Sequence, residues 1–163
     1  MTDYLKKLSF ILLCSTTLTL LGCESHFAET QSDWEADCWS LHDTVHLSFL
    51  SEDTNAVYRL YFPMVFTEDY PYNNISLRAL VTSPTGDQNL LPARFELSDV
   101  NGNWYSEPNG EEIAFDLGLA DGLKFNQKGN YSVQLYHYMR DELLCGMRSS
   151  GIVLEEVELV QGN

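Results

Sequence analysis

Cys23 is the residue whose neighbours most clearly assign it a chemistry. It follows Leu20-Leu21-Gly22, a small residue before a thiol at the close of an apolar run. That arrangement matches a bacterial lipobox, in which the thiol takes lipid and becomes the first residue of the mature chain. Cys38 and Cys145 lie beyond it. In an oxidising compartment they can pair as a disulfide; two buried free thiols are the alternative, because sequence does not show whether their backbones approach. His42, Asp43 and His46 offer imidazole and carboxylate ligands. Their spacing suits a helix better than a strand, and no third strong ligand stands near, so a solvated strand edge is expected rather than a zinc centre. Asp99, Asn101 and Asn103 put oxygen atoms at alternate positions, as calcium loops do. The glycine and glutamate such a loop needs at its sixth and twelfth positions are misplaced, so a polar turn is expected.

Catalytic constellations are weaker still. His137 stands alone on a strand pattern. No motif places a serine or cysteine as a nucleophile, and no glycine-rich phosphate loop joins a strand to a helix. The acidic pairs Glu111-Glu112, Asp141-Glu142 and Glu155-Glu156 are adjacent in sequence, and neighbours on a strand point to opposite faces. They make no carboxylate dyad. A non-enzymatic protein without metal or cofactor is expected. Tyrosine is abundant, and most of it falls in strand-like runs where it suits ordinary β-core. Tyr70-Pro71-Tyr72 is different, because no periodicity explains it. With Asn74 and Trp104 it forms the candidate partner surface.

The elements that must hold these residues begin with a leader. Lys6 and Lys7 precede an apolar stretch, Phe10 to Leu21, diluted by Ser15, Thr16, Thr17 and Thr19. It is shorter and more polar than a spanning helix of about 20 apolar residues. It reads as a signal peptide. Residues 1–22 are thus assigned to a lipoprotein signal peptide, 23–37 to a polar, patternless lipid-anchored tether, and 38–163 to one domain. The chain carries a formal charge of −15, and losing the leader removes more base than acid. Such a surface repels phosphate backbones, so nucleic acid is excluded as a partner. Lipid on Cys23 rather than charge would hold it to a membrane.

Beyond the tether the hydrophobic period is two. Val45, Leu47 and Phe49 alternate with His46 and Ser48. Ala56 to Phe66 is aromatic and aliphatic, with Pro63 suggesting an edge strand or a bulge. Ile75 to Val81, Ala93 to Leu97, Ile113 to Leu117 and Tyr131 to Met139 follow, separated by Ser83-Pro84-Thr85-Gly86, Asp99 to Asn103, Asp121-Gly122 and Lys128-Gly129-Asn130. A last strand is expected from about Gly151 to Val160, and a helical turn at Asp141 to Leu144. Short strands at regular turn spacing, without a long amphipathic helix, indicate an all-β antiparallel sandwich of jelly-roll or immunoglobulin-like order.

With these residues in view the chain resembles the gliding motility lipoprotein GldH family of the Bacteroidota. The resemblance rests on the lipobox, Trp39, Tyr70-Pro71-Tyr72 with Asn74-Ile75, and Leu97, Asp99, Gly102 and Trp104. It continues through Phe125, Gly129 and Tyr131 to Met139-Arg140, Leu144, Gly146-Met147 and Gly151. The sequence departs from the family pattern at His137, at Val65-Phe66-Thr67, where an arginine is usual, and at Ser150, where an acid is usual. Asp43-Thr44-Val45 also resembles the O-glycosylation acceptor of that phylum. The resemblance implies a cell-envelope lipoprotein that supports gliding machinery and binds envelope or gliding-machinery proteins. It carries over no catalytic residue. A lipid-anchored glycan-binding sandwich is the alternative. Arg140 is expected to clamp the last turn against a carboxylate, or to fix backbone carbonyls between the two final strands.

Overall fold

The computed structural model describes residues 26–157. The signal peptide, Cys23 and the expected continuation of the last strand to Val160 lie outside them.

Among the described residues ten strands form in chain order: β1 His26–Asp33, β2 Cys38–Ser40, β3 Val45–Ser51, β4 Tyr58–Phe66, β5 Asn74–Thr82, β6 Gln88–Glu96, β7 Ile113–Leu123, β8 Gly129–His137, β9 Leu143–Cys145 and β10 Met147–Glu156. Eight of them build two four-stranded sheets, ordered β1-β10-β4-β7 and β3-β8-β5-β6, while β2 and β9 pair apart. Every ladder is antiparallel. The first long strand lies beside the last, and consecutive long strands cross between the sheets except at β5–β6. Of the two orders left open by the sequence, this is the jelly roll.

Alternation drives the packing. On β3, Val45, Leu47, Phe49 and Ser51 are buried while His46, Ser48 and Leu50 are exposed. On β5 and β8, Ile75, Leu77 and Ala79 meet the core beside Tyr131, Val133, Leu135 and His137. The facing sheet contributes Leu60, Phe62, Met64, Phe66, Ile152 and Leu154. A sandwich needs both inner faces apolar, and both are.

The sandwich has two different ends. Both β1's first residue and β10's last lie at one, where His26 pairs with Glu155 and Glu156 with Tyr58. The β3–β4, β5–β6 and β7–β8 connections are there too. The other end carries the β2–β9 pair, the Tyr70 loop, the Asp99–Asn103 turn and the segment after β8. We call the first end proximal, since Cys23 is three residues from His26, and the other distal.

Several expectations are corrected. The segment assigned to a tether is largely β1. Ala28, Thr30 and Ser32 are half-buried, alternating with exposed Glu29, Gln31 and Asp33. The period of two was present, but in small and polar residues. Trp39, ahead of the first strand expected from the sequence at Val45, lies within a short strand of its own, β2. Pro63 sits in an interior strand, between β10 and β7. Its ring lies against Gly151, where a side chain would collide with it, and the β4–β10 ladder skips from Met64 to Tyr61. A bulge does occur on that strand, around Leu60 against β7. The expected helical turn is strand β9, paired with β2. The last strand begins at Met147, straight after Gly146, whose φ is +77°.

Candidate functional site

The distal end collects the residues singled out in the sequence. The backbone leaves β4 at Phe66, and Thr67 N–H donates to the Gly146 carbonyl at 3.0 Å. Tyr70 N–H closes a turn onto the Thr67 carbonyl. The Tyr70 ring is 5% exposed, and its hydroxyl donates to the Asn74 carbonyl at 2.9 Å. Burial, with Tyr72 nearby, pushes its pKa up. Tyr70 is therefore the loop's foot in the core. Pro71 is exposed and Tyr72 half-buried. The Tyr72 hydroxyl donates to Asp141 Oδ2 at 2.7 Å, a bond that raises the phenol's pKa. Asn74 opens β5 and donates to Asn73 Oδ1.

A second turn comes alongside. Leu97 N–H donates to the Asn73 carbonyl at 2.7 Å, so the chain leaving β6 is fastened to the Tyr70 loop. Asp99 Oδ1 then accepts from the backbone of Asn101 and Asn103, at 2.8 and 2.9 Å. Oδ2 accepts from the Asn103 side chain. These bonds, the Asn103 side chain's first, hold Asp99 below the usual carboxylate range. Gly102 supplies the positive φ of +84° the turn requires. The oxygens that resemble a calcium loop are thus spent on the turn itself. Trp104 bridges back to Ser98. Its ring packs at a tilt against those of Phe66, Tyr70 and Phe115, with centroids 6.1 to 6.4 Å apart.

Between the two turns lies a cleft of about 490 Å³, walled by Tyr70, Pro71, Tyr72 and Trp104, with Glu68, Asn73, Asp99 and Val100 on its rim. The structure thus brings the Tyr70 loop and Trp104 together. Asn74 stands behind the wall as a hydrogen-bond anchor.

Two fasteners hold this end. Cys38 and Cys145 are joined, with an S–S distance of 2.07 Å, and clamp β2 to β9. Gly146 follows directly, and any side chain there would overlap the Tyr70 backbone. Trp39, fully buried beside them, stacks on Trp34 at 5.1 Å and meets His137 edge-on. Its indole donates to the Asp43 carbonyl at 3.0 Å. His137 is buried, and burial lowers its pKa, although the Trp39 backbone partly offsets this. Its Nε2 has no well-formed hydrogen bond. His42 and His46 are both exposed, as a solvated strand edge would have them.

The carboxylate clamp belongs to Arg148, not to the exposed Arg140. Arg148 bonds Asp37 at 3.3 and 3.4 Å and Glu112 at 2.9 Å, and its pKa is raised by those partners. It ties the 3-10 turn Glu35–Asp37 to the start of β7. Arg148, Asp141, Gly146 and Trp34 were missed as parts of the site. Arg148 had one available signal: in so acidic a chain, a cation on a strand flank has carboxylates within reach.

A family model described as "GldH lipoprotein" matches residues 26–154. The chain belongs to the GldH lipoprotein family. A "Gliding motility lipoprotein GldH homolog" from Christiangramia forsetii (strain DSM 17595 / CGMCC 1.15422 / KT0803) is 24% identical over 102 residues. The match spans 63% of either chain, so slightly less than two thirds of that relative's length. Among solved structures, those of infectious bursal disease virus Gx and Gt strains align over 82% of this chain and 30% and 38% of theirs. Identities are 10% and 11%, and TM-scores of 0.34 and 0.16 carry no argument. Within this GldH lipoprotein the residues behind the family resemblance gather at the distal end. Trp39, Tyr70, Tyr72, Asp99, Trp104, Met139, Leu144, Gly146 and Met147 all lie there. Met139 joins it by its sulfur, which accepts from Ser76 N–H at 3.2 Å. Phe125, Gly129 and Tyr131 sit at the proximal end.

Proposed function

We propose that this GldH lipoprotein is a lipid-anchored, non-enzymatic part of an envelope assembly that supports surface gliding. In this proposal Cys23 carries the lipid, and the distal cleft docks a protein partner. One observation carries the docking site: the cleft lies at the end opposite β1's first residue, so an anchor at Cys23 would turn it away from the membrane. Val100, 94% exposed, stands at its rim, an apolar side chain offered to solvent. Glu68 and Asp99 beside it favour a partner with basic groups. The absence of catalysis is supported by His137, which is committed to packing against Trp39. The relative's name supports the link to gliding.

The test is recovery of the full-length lipoprotein from solubilised envelopes, with mass spectrometry of its companions. Gliding or envelope components should co-purify, and Tyr72→Ala with Val100→Asp should reduce their recovery at least tenfold without unfolding the sandwich. Unchanged recovery with the double variant would remove the cleft as the docking site. Intact mass should show lipid on a chain beginning at Cys23. A second reading, glycan binding, is favoured by the aromatic walls and polar rim of the same cleft. Saturable binding on a glycan array, lost with Tyr72→Ala, would select it.

A further inference from the structure

At one flank of the sandwich β1 and β3 run side by side. At the other flank the inward residues of the edge strands, Leu91 and Phe95 of β6 and Leu119 and Leu123 of β7, are only half-buried. At the proximal end of that flank is a half-open cavity of about 310 Å³. Its floor is apolar: Leu60, Leu91, Leu123, Phe125, Val133 and Leu154. This falls at the lower end of the size of small-molecule sites. An apolar pocket that opens to solvent leaves its lining without close-packed partners on one side.

We infer that this cavity takes an acyl chain of a phospholipid from the membrane that anchors the protein. The inference rests on the proposed anchor at Cys23, which would bring the proximal end to the bilayer. Three observations select this occupant. Apolar side chains supply most of the exposed lining, polar residues such as Ser83, Asn126 and Gln127 belong to the rim, and the Tyr131 hydroxyl already accepts from Gln127 N–H at 3.3 Å. The rim is formed by the β5–β6 and β7–β8 connections, both at the proximal end. And the β7–β8 connection holds Lys124 and Lys128, the only lysines after the leader. In a chain of charge −15 they stand where a lipid phosphate would arrive. Lys124 itself lines the cavity. Asp87, the rim's carboxylate, already accepts from the Thr85 hydroxyl at 2.7 Å. Glu52, Asp53 and Glu156 keep the rest of this end acidic, so Lys124 and Lys128 make a local cationic spot beside the cavity mouth and not a basic face.

Full-length lipoprotein would be reconstituted into vesicles of phosphatidylethanolamine and phosphatidylglycerol carrying a diazirine on one acyl chain. After illumination, mass spectrometry locates the adducts. Adducts are expected on peptides containing Leu91 and Phe125. Leu91→Trp, which fills the cavity, should cut them at least tenfold. Leu90→Trp, on the exposed face of β6, should leave them unchanged. Val81→Phe repeats the filling from the neighbouring strand if Leu91→Trp does not fold. Lys124→Glu should lower labelling several-fold. Flotation reads the anchor separately. Protein that floats without cavity adducts, or whose adducts ignore Leu91→Trp, overturns the inference and leaves the anchor standing. Protein that does not float overturns the anchor and the membrane source together. Labelling by a free diazirine fatty acid but not by the phospholipid also overturns the membrane source.

Discussion

His137 shows how much a single side chain can cost when it is buried. Its folded pKa is depressed from the usual 6.5, chiefly by burial. Below 6.5 the unfolded chain therefore binds a proton that the folded one resists. Stability from this group is present above that pH and is lost as pH falls through 6.5 towards the lower folded pKa. Melting temperatures measured on either side of pH 6.5 should fall on acidification, and His137→Asn should flatten that part of the profile. Gly146 is the second such position. With φ +77° and the Tyr70 backbone against it, Gly146→Ala combines an unfavourable conformation with overlap. We expect a loss of about 1–3 kcal/mol, read by urea unfolding, together with loosening of the Tyr70 loop. At this scale the sequence was half legible. Tyr70-Pro71-Tyr72 stood out because it broke the alternation around it. The Arg148 clamp did not, since its partners Asp37 and Glu112 are remote in sequence and only the fold brings them within reach.

Strands were legible wherever apolar and polar residues alternated in strength. β3, β5 and β8 show that alternation and were read nearly to their ends. β1 was not, because its inward residues are Ala28, Thr30 and Ser32, whose burial stabilises weakly and leaves little mark on the pattern. β10 lacked alternation for the opposite reason: its middle, Ser149 to Leu154, is buried on both faces. It is covered by the core on one side, where Trp34 donates to the Ser150 hydroxyl at 3.1 Å, and by neighbouring groups such as Pro63 on the other. Pro63 shows that a proline can stand in an interior strand when its neighbour is glycine. Gly151→Val should force the Pro63 ring and the Thr30 carbonyl apart and cost about 1–3 kcal/mol, checked by thermal unfolding. A variant as stable as the parent would show that β1 can shift freely.

On the scale of the molecule, one covalent bond joins its early and late parts. The disulfide closes a separation of 107 residues. Replacing Cys38 and Cys145 by serine should lower stability by about 2–5 kcal/mol, measured by denaturant unfolding with and without reductant; the reductant should affect only the parent. The sandwich class could be read from the sequence, but the choice of the jelly roll could not. Alternation says which residues face inward and nothing about which strand lies beside which. The same holds for the cleft, since Tyr72 and Trp104 are neighbours only because Leu97 is fastened to Asn73.

The pairing of β1 with β10 also sets an order of events in time. A chain emerges amino end first from whatever pore makes or exports it. β1 is out early, and among the described residues its only ladder partner is β10, the last of the strands. It must wait, unpaired, for nearly the whole domain to appear behind it. β4 waits as well for one of its two neighbours. The sheet therefore cannot nucleate from its start and grow; it closes in one late step. That favours slow folding and gives an advantage to any escort that keeps the early strand single until then. The weak hydrophobicity that hid β1 in the sequence suits such a strand, which spends its wait exposed.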